Sequence, residues 1–148
     1  DRSVSRGLGD VYKRQDFTNF LEDDFSISIN RGKIVQIIDN LISNSEYWLI
    51  KLKGNDPNCK PSITIKIESP WIYFYDNGYG ISPAIENMLF EPFVTTKPKG
   101  EGRGLGLFII QQLLDSSKCT IALEPFRNEH GRKYIFAINF SNIINEYK

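Results

Sequence analysis

Gly100-Glu-Gly-Arg-Gly-Leu-Gly-Leu-Phe-Ile-Ile-Gln111 is the stretch on which this chain turns. Gly102, Gly104 and Gly106 alternate with other residues, and an apolar segment of helical period begins directly after them. Glycine has no Cβ, so its backbone can approach a ligand closely and adopt positive φ. A helix N-terminus offers unpaired N–H groups and a partial positive charge, which suits a phosphate. The same pattern also describes a glycine-rich turn feeding an ordinary amphipathic helix.

The frame around this stretch is a single domain, because 148 residues allow one real core and not two comfortable ones. Equal numbers of basic and acidic residues, 18 of each, leave no field that would favour nucleic acid or an anionic membrane. No apolar run approaches the roughly 20 residues of a membrane span, and nothing at the start resembles a secretory signal. Cys59 and Cys119 have no metal-ligand spacing and make no disulfide framework, so a reduced, cytoplasmic setting is expected, if need be as the cytoplasmic part of a membrane-anchored protein. Asp1 to Gln15 resembles translated sequencing-adapter DNA more than a natural basic arm. It is set aside as a non-native or disordered segment, the domain is taken as 16–148, and the natural protein is expected to extend upstream.

Working outward from the glycines, the helix is expected over about Leu105 to Ser116, followed by a strand from Cys119 to Leu123, a turn from Arg127 to Arg132 and a strand from Lys133 to Phe140. Upstream, Phe90 to Gly102 is expected to be irregular and mobile. Ser82 and Pro83 open a short helix. Trp71 to Tyr75 and Ser62 to Glu68 form a hairpin through Ser69-Pro70, and Lys53 to Pro61 is a loop. Phe25 to Asn30 alternates as a strand, and Asn30 or Gly32 marks entry to a long helix from Lys33 to about Leu52. Its apolar stripe is Ile34, Ile37, Ile38, Leu41, Ile42, Trp48, Leu49 and Leu52. Gln36, Asn40, Asn44, Tyr47 and Lys51 share another side, with Asn44 at the border. Helices separated from adjacent antiparallel strands predict a two-layer α/β sandwich with a mixed, mostly antiparallel sheet and helices on one face.

Three polar elements recur where strands or helices end. Asn40 and Asn44 carry neutral amide oxygens suited to a hard cation such as Mg²⁺, or are simply solvated. Asp76-Asn-Gly78-Tyr-Gly80 places a carboxylate at a strand end, able to accept from an exocyclic amine, or is a strand-ending turn. The glycine stretch is the third.

In this order, and with Phe90-Glu-Pro-Phe93-Val-Thr-Thr-Lys97 between them, these elements resemble the GHKL nucleotide-binding domain, the Bergerat fold of histidine kinases, gyrase-type topoisomerases, mismatch-repair ATPases and heat-shock chaperones. The resemblance covers about Phe25 to Phe140 and is greatest to the histidine kinase branch. It implies ATP and Mg²⁺ as cofactors. Asn44 would hold the metal, supported by Asn40. Asp76 would bind the adenine amine in a pocket shaped by Gly78 and Gly80. Phe90 and Phe93 would anchor a lid containing Thr95, Thr96 and Lys97. Gly102, Gly104, Leu105 and Gly106 would hinge it and offer N–H groups to phosphates.

The hydrolytic members carry a glutamate, the general base on water, where this chain has Asn40. An amide cannot take up a proton at neutral pH, which favours phosphoryl transfer to a protein side chain over hydrolysis. The family often has Lys or Arg, then an aromatic, at the positions of Tyr47 and Trp48. The basic phosphate contact is expected either to be lost or to be supplied by Arg103 or Lys99, and Trp48 is assigned to the core in preference to an adenine wall. His130, the only histidine, reads as an exposed turn residue and not as a phosphoacceptor. The implied function is therefore a histidine kinase catalytic domain. It would serve a histidine-containing dimerisation domain absent from this chain and a response regulator, within a homodimer and without nucleic acid. The alternatives are a GHKL ATPase driven by lid closure and a degenerate nucleotide-sensing module.

Overall fold

The computed structural model describes residues 16–21 (as backbone), 25–102 and 104–145. In chain order these form β1 (Asp16–Leu21), β2 (Ser26–Ile27), α1 (Arg31–Asn55), β3 (Ser62–Glu68), β4 (Trp71–Asp76), a 3-10 helix (Pro83–Met88), α2 (Gly106–Ser116), β5 (Thr120–Leu123), β6 (Ile135–Asn139) and β7 (Ile144–Asn145). The main sheet runs β1-β3-β4-β6-β5. Among the described residues only β1 and β3 pair in parallel, and the other ladders are antiparallel.

The long helix starts where a cap is available. The Asn30 side chain accepts from the Lys33 N–H at 3.3 Å, satisfying one of the orphan donors of the first turn. The helix ends where the Asp56 N–H closes on the Leu52 carbonyl at 2.8 Å. Between these points Ile34, Ile37, Ile38, Leu41, Ile42, Ser45 and Leu49 are buried. This stripe matches the one expected from period, except that Ser45 belongs to it, Trp48 does not, and Leu52 is only partly buried against the core.

The sheet contributes one face to the same core. Register places Ile65 opposite Phe74, Ile67 opposite Ile72, Phe74 opposite Phe136, and Ile138 opposite both Ile72 and Ile121. Alternate residues point to one side, so these side chains share the face that the helices cover. They join Ile37, Leu41, Leu49, Ile110 and Leu114 in one hydrophobic cluster. The opposite face carries a row of aromatics, with Trp71 stacked on Tyr73 and Tyr75 edge-on to Tyr134. The two-layer sandwich expected from the sequence is the fold observed. Leu114 is fully buried in α2. Leu114→Ala should cost about 2–5 kcal/mol, read as a lower urea midpoint with an unchanged slope.

Three expectations change. The strand expected over Phe25 to Asn30 contracts to β2, which pairs only with β7 in a separate two-stranded ribbon. Phe25, Ile27 and Ile29 do pack against the core. Alternation thus marked which side chains are covered, while ladder length depended on a two-residue partner. β1 and β7 were not anticipated at all. Finally, Ser82 precedes the 3-10 helix without a side-chain cap. The interpretation of residues 1–15 lies outside the described residues.

Candidate functional site

The site is built around Asp76, the last residue of β4. In register it stands opposite Ile63, on the same face as Phe74 and Ile72, so its carboxylate enters the layer between sheet and helices. Two donors meet it there. The Ser45 hydroxyl of α1 donates to Oδ2 at 2.6 Å, and the Gly78 N–H donates to Oδ1 at 2.8 Å. Burial pushes the Asp76 carboxyl above the usual range, and these two hydrogen bonds oppose that rise.

Asp76 opens onto a cavity walled by Trp48, Tyr79, Gly80, Ile81, Leu89 and Leu107. This space is more apolar than polar, with the Asp76 carboxylate on one wall and Asn44, Thr95 and Thr96 on another. Its outer loop is pinned by Ile81 N–H to Lys133 carbonyl at 2.8 Å and by the Asn128 side-chain amide to the Tyr79 carbonyl at 3.0 Å. Gly80 has φ +91°, and a Cβ there would sit 2.8 Å from the Arg132 and Asn128 side chains. The second glycine of the Asp-x-Gly-x-Gly segment is therefore required by backbone conformation and by space together.

A second, polar cleft adjoins the first. Asn40, Ser43, Asn44, Gly102, Gly104 and Gly106 line it, and Asn44, Val94, Thr95, Lys97 and Leu107 are shared by both spaces. The cleft ends at the start of α2, where Leu105 supplies no side-chain cap, so the first-turn N–H groups of that helix have no partner within it. Such an end attracts an anion. Among the described residues no group of three or more His, Cys, Asp or Glu could hold a metal by itself. The donor set is instead two half-buried asparagine amides beside an anion-ready helix end, which fits a Mg²⁺ ion that takes its remaining ligands from phosphate and water.

The structure brings Asn40, Asn44, Asp76, Gly80, Thr95, Thr96, Lys97, Gly102, Gly104, Leu105 and Gly106 to these two connected spaces. Gly78 lies behind Asp76, on a shallower depression of the outer sheet face. Phe93 departs from expectation. Its side chain is 74 % exposed and lines neither space. What fastens the lid there is backbone, a 2.9 Å bond from the Phe93 N–H to the Gly104 carbonyl. Phe90, by contrast, packs edge-on against Phe136. Trp48 is a correction too: it is only partly buried and walls the cavity, while its neighbour Leu49 takes the fully buried place in the stripe. Lys99 lines neither space, and Arg103 lies outside the described residues. His130 is exposed in its turn, edge-on to Tyr79.

Ser45 is the functional residue that pattern reading missed. Its signal was present: a polar residue four positions from both Leu41 and Leu49 interrupts an apolar stripe, and a buried hydroxyl must find a partner.

Comparison with known proteins points the same way. The signature of the histidine kinase-, DNA gyrase B-, and HSP90-like ATPase family matches residues 29–142. Two-component sensor PprA of Pseudomonas aeruginosa is 34% identical over 88 residues, 55% of this chain and 9% of that protein. Sensor protein ChvG of Rhizobium meliloti is 30% identical over 116 residues, 73% of this chain and 19% of that protein. The chain thus spans a small part of the relatives it matches. Among solved structures, the mycobacterial sensor histidine kinase MprB superposes with a TM-score of 0.71 at 17% identity, over 91% of this chain and 89% of that one. The nucleotide-free catalytic domain of histidine kinase ThkA gives 0.70 at 22%, over 94% and 93%.

Proposed function

The chain belongs to the histidine kinase-, DNA gyrase B-, and HSP90-like ATPase family, and from that premise we propose that it is the Mg-ATP-binding catalytic domain of a two-component histidine kinase. The observation that carries this is the pairing of two ends in one continuous space. A carboxylate held by Ser45 and Gly78 faces an apolar slot, and an uncapped helix start with two asparagine amides closes the far side.

Each residue then has a task. Asp76 Oδ2 accepts from the adenine amine, while Trp48 and Tyr79 cover the ring faces. Asn44 holds the magnesium ion, and Asn40 supports the shell around it. When bound, the ion would supply neutralisation of phosphate charge, and Asn44 with Asn40 would hold it in the polar cleft. The first-turn N–H groups of α2 hold phosphate oxygens. The lid from Thr95 to Gly102 excludes water. Asn40 cannot take a proton from water, so the chain's own residues position the γ-phosphoryl group without activating hydrolysis. The acceptor is a histidine on a separate dimerisation domain, the product is read by a response regulator, and the complete protein acts as a cytoplasmic homodimer.

Calorimetric titration with Mg-ATP tests this. The parent chain should bind, Asn44→Ala should lose about 10-fold or more of the affinity, and the loss should vanish when EDTA replaces magnesium. Steady phosphate release abolished by Asn44→Ala would replace the kinase reading with a hydrolytic one. An absence of adenine-nucleotide binding would leave a degenerate module.

A further inference from the structure

Tyr47 follows Asn44 by three residues on α1 and sits directly beneath the lid. Lys97 places its ammonium 4.4 Å from the centroid of the Tyr47 ring. The Tyr47 hydroxyl donates to the Glu101 carboxylate. Lys51, one turn further along the helix, lies 3.8 Å from Glu101 and 5.5 Å from the same ring. The ring itself stands edge-on to Trp48 at 5.0 Å. One side chain therefore touches both ends of the lid and the wall of the apolar slot.

Lys97 is unusual among the cations nearby. It lines both connected spaces and makes no ion pair among the described residues. Its stem crosses Gly102 so closely that a Cβ there would lie 2.7 Å from the lysine Cδ. The stem thus runs against Gly102 and delivers the ammonium to the Tyr47 ring. Burial lowers its pKa, as expected for an ammonium that lacks a carboxylate partner. Lys51 is committed to Glu101, and Arg132 lies at the slot of Asp76 and Gly80, not in the polar cleft.

We propose that Tyr47 is a positioning residue that holds the Lys97 ammonium over the polar cleft as the cation for the nucleotide's terminal phosphates. This rests on the nucleotide reading above and deepens it. In this chain the charge comes from the lid, and the helix supplies an aromatic platform that presets it. An aromatic face is a weaker partner for an ammonium than a phosphate oxygen. The ring therefore orders the long lysine side chain beforehand and yields it when an anion arrives.

The test is a calorimetric series with adenosine, ADP and ATP in magnesium, on the parent chain, Lys97→Met, Tyr47→Leu, Tyr47→Phe and the double variant Tyr47→Lys with Lys97→Met. Adenosine affinity should fall far less than ATP affinity in every variant, and a thermal melt reports that each is folded. Lys97→Met should lose about 10-fold or more of the ATP affinity. Tyr47→Leu should lose roughly 3-fold, and Tyr47→Phe less, because the ring remains. Tyr47→Lys should recover most of what Lys97→Met loses, by placing the cation on the helix. A parent chain that binds none of the three ligands would sink the nucleotide reading and this proposal with it. A parent chain that binds ATP, with Lys97→Met keeping the same ATP-over-adenosine preference, would overturn this proposal alone. A double variant no better than Lys97→Met would do the same.

Discussion

Asp76→Asn is expected to remove adenine-nucleotide binding by about 100-fold or more, and at the same time to raise the unfolding temperature at pH 7. Both effects come from one geometry. Oδ1 is occupied by the Gly78 N–H and Oδ2 by the Ser45 hydroxyl, leaving lone pairs on Oδ2 for a ligand amine. In the asparagine variant the carbonyl oxygen stays with Gly78, and the amide nitrogen donates to Ser45. That nitrogen then faces the adenine amine, donor against donor, in a partly buried site.

The stability gain follows from the raised Asp76 pKa, whose first cause is burial of the charge. The folded state holds its proton more tightly than the unfolded chain does. Stability from this group is therefore fully present below the unfolded value and is lost as pH rises through the raised folded value. Replacing the carboxylate removes that loss. Thermal melts of parent and variant should diverge at neutral pH and converge as pH falls toward the unfolded Asp range. A variant less stable than the parent at pH 7 would show that Asp76 holds the fold together instead of straining it. In the parent, ATP affinity should fall as pH is lowered through the Asp76 titration.

The second large effect separates two glycines that are equivalent in the sequence pattern. Gly104 has φ +69°, and a Cβ there would lie 2.5 Å from the Phe93 carbonyl carbon and 2.6 Å from the Val94 nitrogen. These are backbone atoms at the other end of the lid, tied to Gly104 by the Phe93 N–H. Phe93 itself has φ +67°. The two ends of the lid thus cross at a strained pinch that no side-chain movement can relieve. Gly104→Ala should cost about 1–3 kcal/mol and reduce ATP affinity by roughly 10-fold or more, while adenosine affinity is kept. Gly106 meets nothing within 4 Å and lies in the first turn of α2. Gly106→Ala should leave the melting temperature unchanged or raise it, since alanine is the better helix residue by about 1 kcal/mol. A helical Cβ tilts toward the N-terminus, however, into the space assigned to phosphate. It should therefore weaken ATP without weakening the fold. Equal destabilisation by the two substitutions would contradict this assignment.

Much of the fold was legible because it is periodic. Ile63, Ile65 and Ile67 announced β3, and the apolar spacing from Ile34 to Leu49 announced α1. The Asn30 cap and the Ser69-Pro70 turn were local chemistry read from neighbouring residues. Asn44 and Asp76 were recognisable because each stands at a place where an element's apolar pattern meets a polar requirement. β1 and β7 escaped notice because strand edges exist only once a partner is present.

The site shows the same division. Residue types and order determined that a carboxylate, two amides and a glycine-rich helix start occur in this chain. They could not show that Ser45 reaches Asp76, a contact across 31 positions, or that Tyr47 reaches Glu101 across 54. Nor could they show that Trp48 walls a cavity or that Gly104 and Gly106 face different surroundings. Periodicity is a property of one segment and says which side of it is covered. Which atoms do the covering depends on how distant segments pack, and the distances and φ angles that distinguish one glycine from the next arise only there.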